Sequence, residues 1–293
     1  MPPFRRSPDA SGPLVPRSDT SMFAAALIIF ALSIPGQARG QDWYIPKRYE
    51  LLQRGNLEIG GRLQLAAHND GLLNTTTWEN VYHVRYTPLR RLEAYFEVPL
   101  IHRSRESVSA FSIVTNGASG VGDMFTQFSL EGFSGPDWKT IFNVDIGWPT
   151  GKNPYENTVG LGGGHYTFAV GGTTMKVIDP VVMFLHIGYQ TSFERTFKNT
   201  GKVDPGDDIR FRIGTSLSLN PKVTATVNVS GDILSATKLA GATVAGSSDV
   251  LVRLGLGFDW LVGRRTKWGA DAIFGMTDNS GDATVIVNWT LGF

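Results

Sequence analysis

"IRFRIGTSLSLNPKVTATVNVS", residues 209–230, decides the fold. Ile209, Phe211, Ile213, Leu217 and Leu219 alternate with Arg210, Arg212, Ser216 and Ser218. After the Asn220-Pro221 turn, Val223, Val227 and Val229 alternate with Thr224, Thr226 and Asn228. Successive side chains of a strand point to opposite faces, so each run has one apolar and one polar face. A helical period does not fit either run.

The same alternation extends in both directions. "NLEIGGRLQLAAH" (56–68), "WENVYHVRY" (78–86), "RLEAYFEVPL" (91–100) and "VLVRLGLGFDW" (250–260) repeat it. Weaker runs lie near 122–131, 139–149, 165–176, 181–193, 267–276 and 283–293. Together they predict an all-β chain of about twelve strands, an even number, many of them long enough to cross hydrocarbon when tilted. The connections alternate in length. "TPLRR", "GFSGPD", "VIDP", "NP" and "VGRRT" are compact. The stretches 102–120, 150–163, 194–208 and 234–248 are long, with 70–77 and 277–282 shorter members of that set. Short periplasmic turns alternating with longer outer loops are the pattern of a transmembrane antiparallel up-and-down β-barrel. A secreted β-sandwich also alternates. Strand length, loop alternation and aromatic strand ends (Trp78, Tyr86, Trp148, Tyr166, Tyr189, Trp260, Trp268 and Trp289) favour the barrel.

The chain closes on "TVIVNWTLGF" (284–293), where Val285, Val287, Trp289, Leu291 and Phe293 share one face. This ending resembles the carboxy-terminal signal of bacterial outer-membrane proteins, read by the barrel assembly machinery. Phe293 is therefore expected to be the assembly signal. The last strand must pair with the first, because an unpaired edge in lipid leaves backbone groups unsatisfied.

Composition agrees with export to a membrane. Hydrophobic residues are 42% and charged residues 18% of the 293, with 34 glycines and a net charge of +1. That balance gives no electrostatic argument for nucleic acid. Cysteine is absent, which excludes a disulfide framework and thiolate-held metals. The apolar run Phe23–Leu32 follows Arg5, Arg6 and Arg17 and precedes small residues, the form of a secretory signal. Residues 1–40 are thus expected to be a signal peptide whose true start lies near Met22. Residues 41–55 form a short periplasmic or plug segment, and residues 56–293 the outer-membrane barrel.

Between the runs, "GVGDMFTQFSLEGF" (120–133), "VDIGWPTGKN" (144–153), "GLGGGHYTFAVGGT" (160–173), "LHIGYQ" (185–190) and "DPGDDIRFRIGTSLSLNPKVTATVNVSGD" (204–232) follow one another in order. This series resembles the outer-membrane transporter family described as the putative meta-pathway of phenol degradation group. The resemblance covers about residues 80 to 293; Trp148 before Pro-Thr-Gly is a departure from it. It implies passive uptake of small, aromatic or hydrophobic solutes, without cofactor. The implied partners are outer-membrane lipids, lipopolysaccharide, the barrel assembly machinery and a small-molecule solute.

Candidates for chemistry are few. "PTGKN" lacks the spacing and the following helix of a phosphate loop, and "GLGGG" lacks such a helix too. A lipid hydrolase needs a histidine base paired with a serine. His165 is expected to open a strand at the outer rim, but Thr173 stands where that pattern wants serine; His102 with Ser104 or Ser107 falls in a loop. Asp204, Asp207 and Asp208 could bridge a cation to lipopolysaccharide, although a solvated acidic loop explains them better. No metal site is expected.

The polar faces are more informative. Glu58, Arg62, Glu79, Arg85, Glu93, Glu97, Asp123, Asp145, Arg210, Arg212, Arg253, Asp259 and Asp271 all project into the lumen if the registers hold. Charges on strands that otherwise face lipid must meet water or each other. Tyr95, with Phe125 and Phe184, is expected either to give a ring-shaped solute apolar footing on that face or to serve its packing alone. About twelve strands lie between a side-chain-filled barrel and an open pore, implying a narrow passage. The alternative is a structural or surface-interaction barrel with a closed lumen.

Overall fold

Alternation of the kind seen at 209–230 continues around the whole chain in the computed structural model, which describes residues 55–69, 73–108, 113–263, 265–277 and 279–293. Residues 1–40, expected to be a signal peptide, and all but Gly55 of the 41–55 stretch lie outside the described residues. The wall strands begin with β1 (Leu57–Asn69), β2 (Leu73–Leu89), β3 (Leu92–Val108), β4 (Ile113–Val121), β5 (Met124–Ser134), β6 (Trp138–Trp148), β7 (Thr167–Ile178) and β8 (Val181–Ser192). Two short strands, β9 (Arg195–Phe197) and β10 (Gly201–Asp204), fill the next connection before β11 (Asp207–Asn220) and β12 (Val223–Leu234). Another short pair, β13 (Lys238–Leu239) and β14 (Ala242–Thr243), precedes β15 (Asp249–Leu261), β16 (Thr266–Gly275) and β17 (Ala283–Gly292).

The wall sheet holds thirteen strands, but β4 and β5 share one place. β4 pairs with the outer half of β3 (Leu100–Val108) and β5 with its inner half (Leu92–Glu97). The wall is therefore a closed antiparallel barrel of twelve, each neighbour adjacent in sequence. Closure comes from β1 against β17, with Glu58 opposite Gly292 and Ala67 opposite Ala283.

Outward faces carry the apolar residues. Ile213 and Ile187 are more than half exposed, as expected of groups that meet lipid rather than water. Rings mark both borders of this belt. Trp78, Trp148, Tyr166 and Tyr189 stand toward the long-loop end, with Trp148 and Tyr166 edge to face at 6.1 Å. Tyr86, Trp260, Trp268 and Trp289 stand toward the short-turn end, where Trp268 lies opposite both Trp260 and Trp289. From Trp138 to Trp148 the strand takes ten steps. At about 3.3 Å per step and a tilt near 40°, the rise is about 25 Å, the height of an outer-membrane apolar band. A closed barrel with that belt is an outer-membrane protein.

Two sequence expectations change. Residues 102–120, expected to be a loop, are mostly strand, because β3 and β4 continue as a hairpin beyond Trp78. Their outward positions are His102, Ser104 and Glu106, so the apolar signature ends where lipid ends while the ladder goes on. The long connections 193–206 and 235–248 are not irregular either. Their short strands pair in the order β14-β13-β10-β9, a small second sheet outside the wall.

Candidate functional site

The inward faces of β1, β2 and β3 form a carboxylate-rich wall. Arg85 is buried at its inner end and holds two partners. Its Nε and Nη2 donate to the two oxygens of Glu93 at 3.0 and 3.1 Å, and Nη1 donates to Glu58 Oε1 at 3.1 Å. Four residues further out along β1, Arg62 reaches Glu79 at 3.8 Å and Glu97 at 3.9 Å. Tyr95 donates its hydroxyl to Glu97 and packs between His83, at 5.4 Å, and Phe125, at 6.3 Å.

On β11, β12 and β15, halfway around the wall, arginines and aspartates pair. Arg210 Nε donates to Asp208 at 2.6 Å and lies 3.9 Å from Asp232; Arg253 donates to the other oxygen of Asp232 at 2.6 Å. Arg212 shares this face, level with His186 on β8 and Ser230 on β12. Asp259 and Asp271 continue the inward row on β15 and β16, where Asn288 donates to Asp271 at 3.3 Å. The two walls lie on opposite sides of the barrel, and each carries both signs of charge in pairs.

Between them, β6 to β8 present an apolar strip. Ile141, Met175, Val182 and Phe184 pack together, each 3% exposed or less. Gly214 on β11 keeps this contact possible, since a Cβ there would lie 2.6 Å from the Phe184 ring. Asp145 stands above the strip and accepts from Gln127 at 2.9 Å.

Asp123 departs from the expected row. It stands in the break between β4 and β5, and its carboxylate accepts from the Gly151 amide at 2.9 Å and the Gly163 amide at 2.6 Å. It thereby ties the connection 149–166 to the barrel mouth. Arg103, on the inward face of β3, donates to the Gly160 carbonyl at 2.6 Å, and Val159 and Leu161 are buried. The "GLGGG" run serves this approach: a Cβ on Gly162 would stand 2.1 Å from Asp123 Oδ1.

The same connection leans on the β9–β10 hairpin. The Lys198 amide donates to Glu156 at 2.8 Å, Thr200 to the Tyr155 carbonyl at 3.1 Å, and Arg195 to the Gly164 carbonyl at 2.8 Å. These donors, Lys198 first and Asn153 second, hold the Glu156 carboxyl below its ordinary value of 4.5. Burial raises the Tyr155 hydroxyl above its usual range. Tyr155 stacks on Phe197 at 4.6 Å, and His165 meets both edge-on.

His165 thus belongs to the connection and not to a strand start; β7 begins at Thr167, and the His165 ring is buried in this cluster. His102 is on β3 and pairs with Ser119 at 2.6 Å on the outward surface, a partner that linear spacing did not show. Asp204, Asp207 and Asp208 do not form one solvated patch. Asp204 faces Lys238 at 3.7 Å, Asp207 bonds Thr191 and Tyr189, and Asp208 is buried against Arg210. Asp208 and Asp232 were missed as inward residues, although carrying the alternation two residues past Arg210 and past Ser230 finds them both.

Comparison with known proteins bears on this barrel. The family model described as "Putative MetA-pathway of phenol degradation" matches residues 65–287. A crystal structure of the COG4313 outer membrane channel from Pseudomonas putida F1 is similar with a TM-score of 0.72 at 12% identity, over 85% of this chain and 100% of that one. A NanC porin structure gives a TM-score of 0.49 at 7% identity, over 80% and 98%. The translocator domain of the autotransporter NalP from Neisseria meningitidis gives 0.49 at 10%, over 94% and 97%.

Proposed function

We propose, from the premise that this chain belongs to the family described as "Putative MetA-pathway of phenol degradation", that it is an outer-membrane channel for passive uptake of small aromatic or hydrophobic solutes. The observation that carries the reading is the inward face. Two walls of paired charge flank the Tyr95–Phe125 ring pair, whose rings are only partly buried. Polar side chains line a passage with groups that replace water, and the partly exposed Tyr95 and Phe125 rings give an aromatic solute a surface to rest on. Diffusion through such a lumen needs no cofactor and no covalent step. Aromatic solutes follow from the family description and from the rings on this face.

The reading is non-catalytic. His102 and Ser119 face outward, and among the described residues His102 bonds no third group that would orient it as a base. Thr173 and His186 meet at 2.9 Å inside the wall, but Thr173 is buried, which denies it to a substrate.

One observation favours the second reading, a structural barrel with a closed lumen: the connection 149–166 is drawn over the mouth by Asp123 and Arg103. Purified protein in planar bilayers separates the two. Stepwise conductance, with faster vesicle entry of phenol than of a polar solute of equal size, is the expected result. Silent bilayers together with impermeable vesicles overturn the channel.

A further inference from the structure

We infer, resting on the channel reading for the ring of the solute, that Arg103 and Arg105 at the outer mouth form a capture site for the carboxylate of aromatic acids.

Both arginines face inward by register, on the part of β3 that continues past the lipid belt. Arg103 lies opposite Thr77 on β2 and Ala118 on β4; Arg105, two residues on, lies opposite Thr75 and Asn116. His68 on β1 is level with Thr75. The row around Arg105 therefore offers an imidazole, a hydroxyl and an amide, and no carboxylate.

Elsewhere on the wall, Arg62, Arg85, Arg210 and Arg253 each hold a carboxylate. Among the described residues, no ion pair includes Arg103 or Arg105. The nearby carboxylates of the mouth are engaged: Asp123 by the amides of Gly151 and Gly163, and Glu156 by the amide of Lys198. Arg103 uses only part of its fork. Nε donates to Thr77 at 3.2 Å and Nη1 to the Gly160 carbonyl at 2.6 Å, and among the described residues Nη2 has no acceptor. Arg105 is exposed.

Burial first, and then the charge of Arg105, disfavour the charged form of Arg103. Glu79 opposes this, but it is shared with Arg62 at 3.8 Å. Arginine nevertheless stays charged, so the two cations repel, and an anion between them relieves the repulsion. A guanidinium fork matches a carboxylate with two parallel hydrogen bonds. Standing at the mouth, the pair also draws anions from solution before they meet the paired charges of the wall.

Arg105 can be changed without touching the Gly160 contact, which belongs to Arg103. Titrated into the purified barrel in detergent, benzoate should bind severalfold more weakly to Arg105→Gln than to the parent. Benzyl alcohol, a neutral ring of similar size, should bind the two alike. Arg105→Lys should fall between, since it keeps the charge and loses the fork. Equal benzoate affinity in the parent and Arg105→Gln overturns the inference, as does a folded parent that binds no benzoate. Inorganic phosphate displacing benzoate at lower concentration overturns the assignment to a carboxylate. Entry into vesicles tests the channel separately. Benzoate binding that depends on Arg105, with neither ring entering vesicles of the parent, keeps the capture site and removes the channel reading. Should Arg105→Gln not assemble, Asn116→Asp sets a carboxylate level with Arg105 and should weaken benzoate severalfold; unchanged affinity there overturns the proposal.

Discussion

The backbone amide of Phe293 donates to the carbonyl of Leu57 at 2.8 Å, so the last residue of the chain is bonded to the first residue of β1. The terminal ring points outward and is 55% exposed. A residue that would fray in a soluble domain is here part of the closing seam.

Phe293→Asp is therefore expected to impair insertion into the outer membrane while leaving export across the inner membrane intact. The change puts a charge on the outward face at the belt's border. Fractionation with heat-modifiable mobility checks it. Normal amounts of folded barrel in the outer-membrane fraction would show that neither the ring nor the seam matters for assembly.

Arg85 bridges Glu58 and Glu93, and all three side chains are less than a tenth exposed. Arg85→Met leaves two carboxylates in a buried site without their shared cation, which should cost about 3–5 kcal/mol. Adding Glu58→Gln and Glu93→Gln should recover much of that loss. Urea titration of the refolded barrels in vesicles measures both. A single variant as stable as the parent would mean that water reaches the site freely.

Ile213 is outward at the middle of β11, and Ile233 is outward near the outer end of β12. Ile213→Arg should destabilise by about 2–4 kcal/mol and Ile233→Arg by about 0–1, because the cost of charge on the lipid face depends on depth. Equal costs in the same titrations would move the belt's centre. Ser216, inward next to Leu217, is no neutral control: it is 1% exposed and bonded to Thr226 at 2.9 Å, so a large side chain there would overpack the wall.

Arginine stays charged, so Arg210 and Arg212 must balance carboxylates or present positive potential to solutes. Arg210 already meets Asp208 and Asp232, and its loss would leave their charge less compensated. Replacing both arginines with Gln should shift ion preference toward cations and slow anionic aromatics more than neutral ones. Reversal potentials in a salt gradient give the answer. Higher conductance with unchanged selectivity would assign these arginines to bracing alone.

Glu156 gives the outer mouth a pH dependence of definite sign. Its carboxyl titrates below 4.5 in the fold, held by the Lys198 amide and then by Asn153. The contact contributes fully above the unfolded value and is lost as pH falls through the lower folded value. Bilayer recordings should therefore stay steady from pH 7 to 5 and show added mouth fluctuations only once the pH falls below the ordinary carboxylate value. Glu156→Gln should fluctuate at pH 7. Identical records across the range would mean that the 149–166 connection does not sense this carboxylate.

The sequence by itself determined which residues share a face. Alternation is local, set by the extended backbone of each residue, so the inward placement of Arg210 and the outward placement of Phe211 needed nothing distant. The strand number and the sorting of short from long connections were legible for the same reason. The tertiary structure alone decided who meets whom. Arg85 finds Glu58 27 residues away and Glu93 only 8 away, because the registers of β1, β2 and β3 align them. Asp123 shares the parity of an inward row, yet the break between β4 and β5 frees it to hold Gly163, 40 residues on. Arg103 and Gly160 meet because a connection with no alternation folds back over the mouth. A period of two says which way a side chain points; partners depend on register and on long-range closure, which no local run of residues encodes.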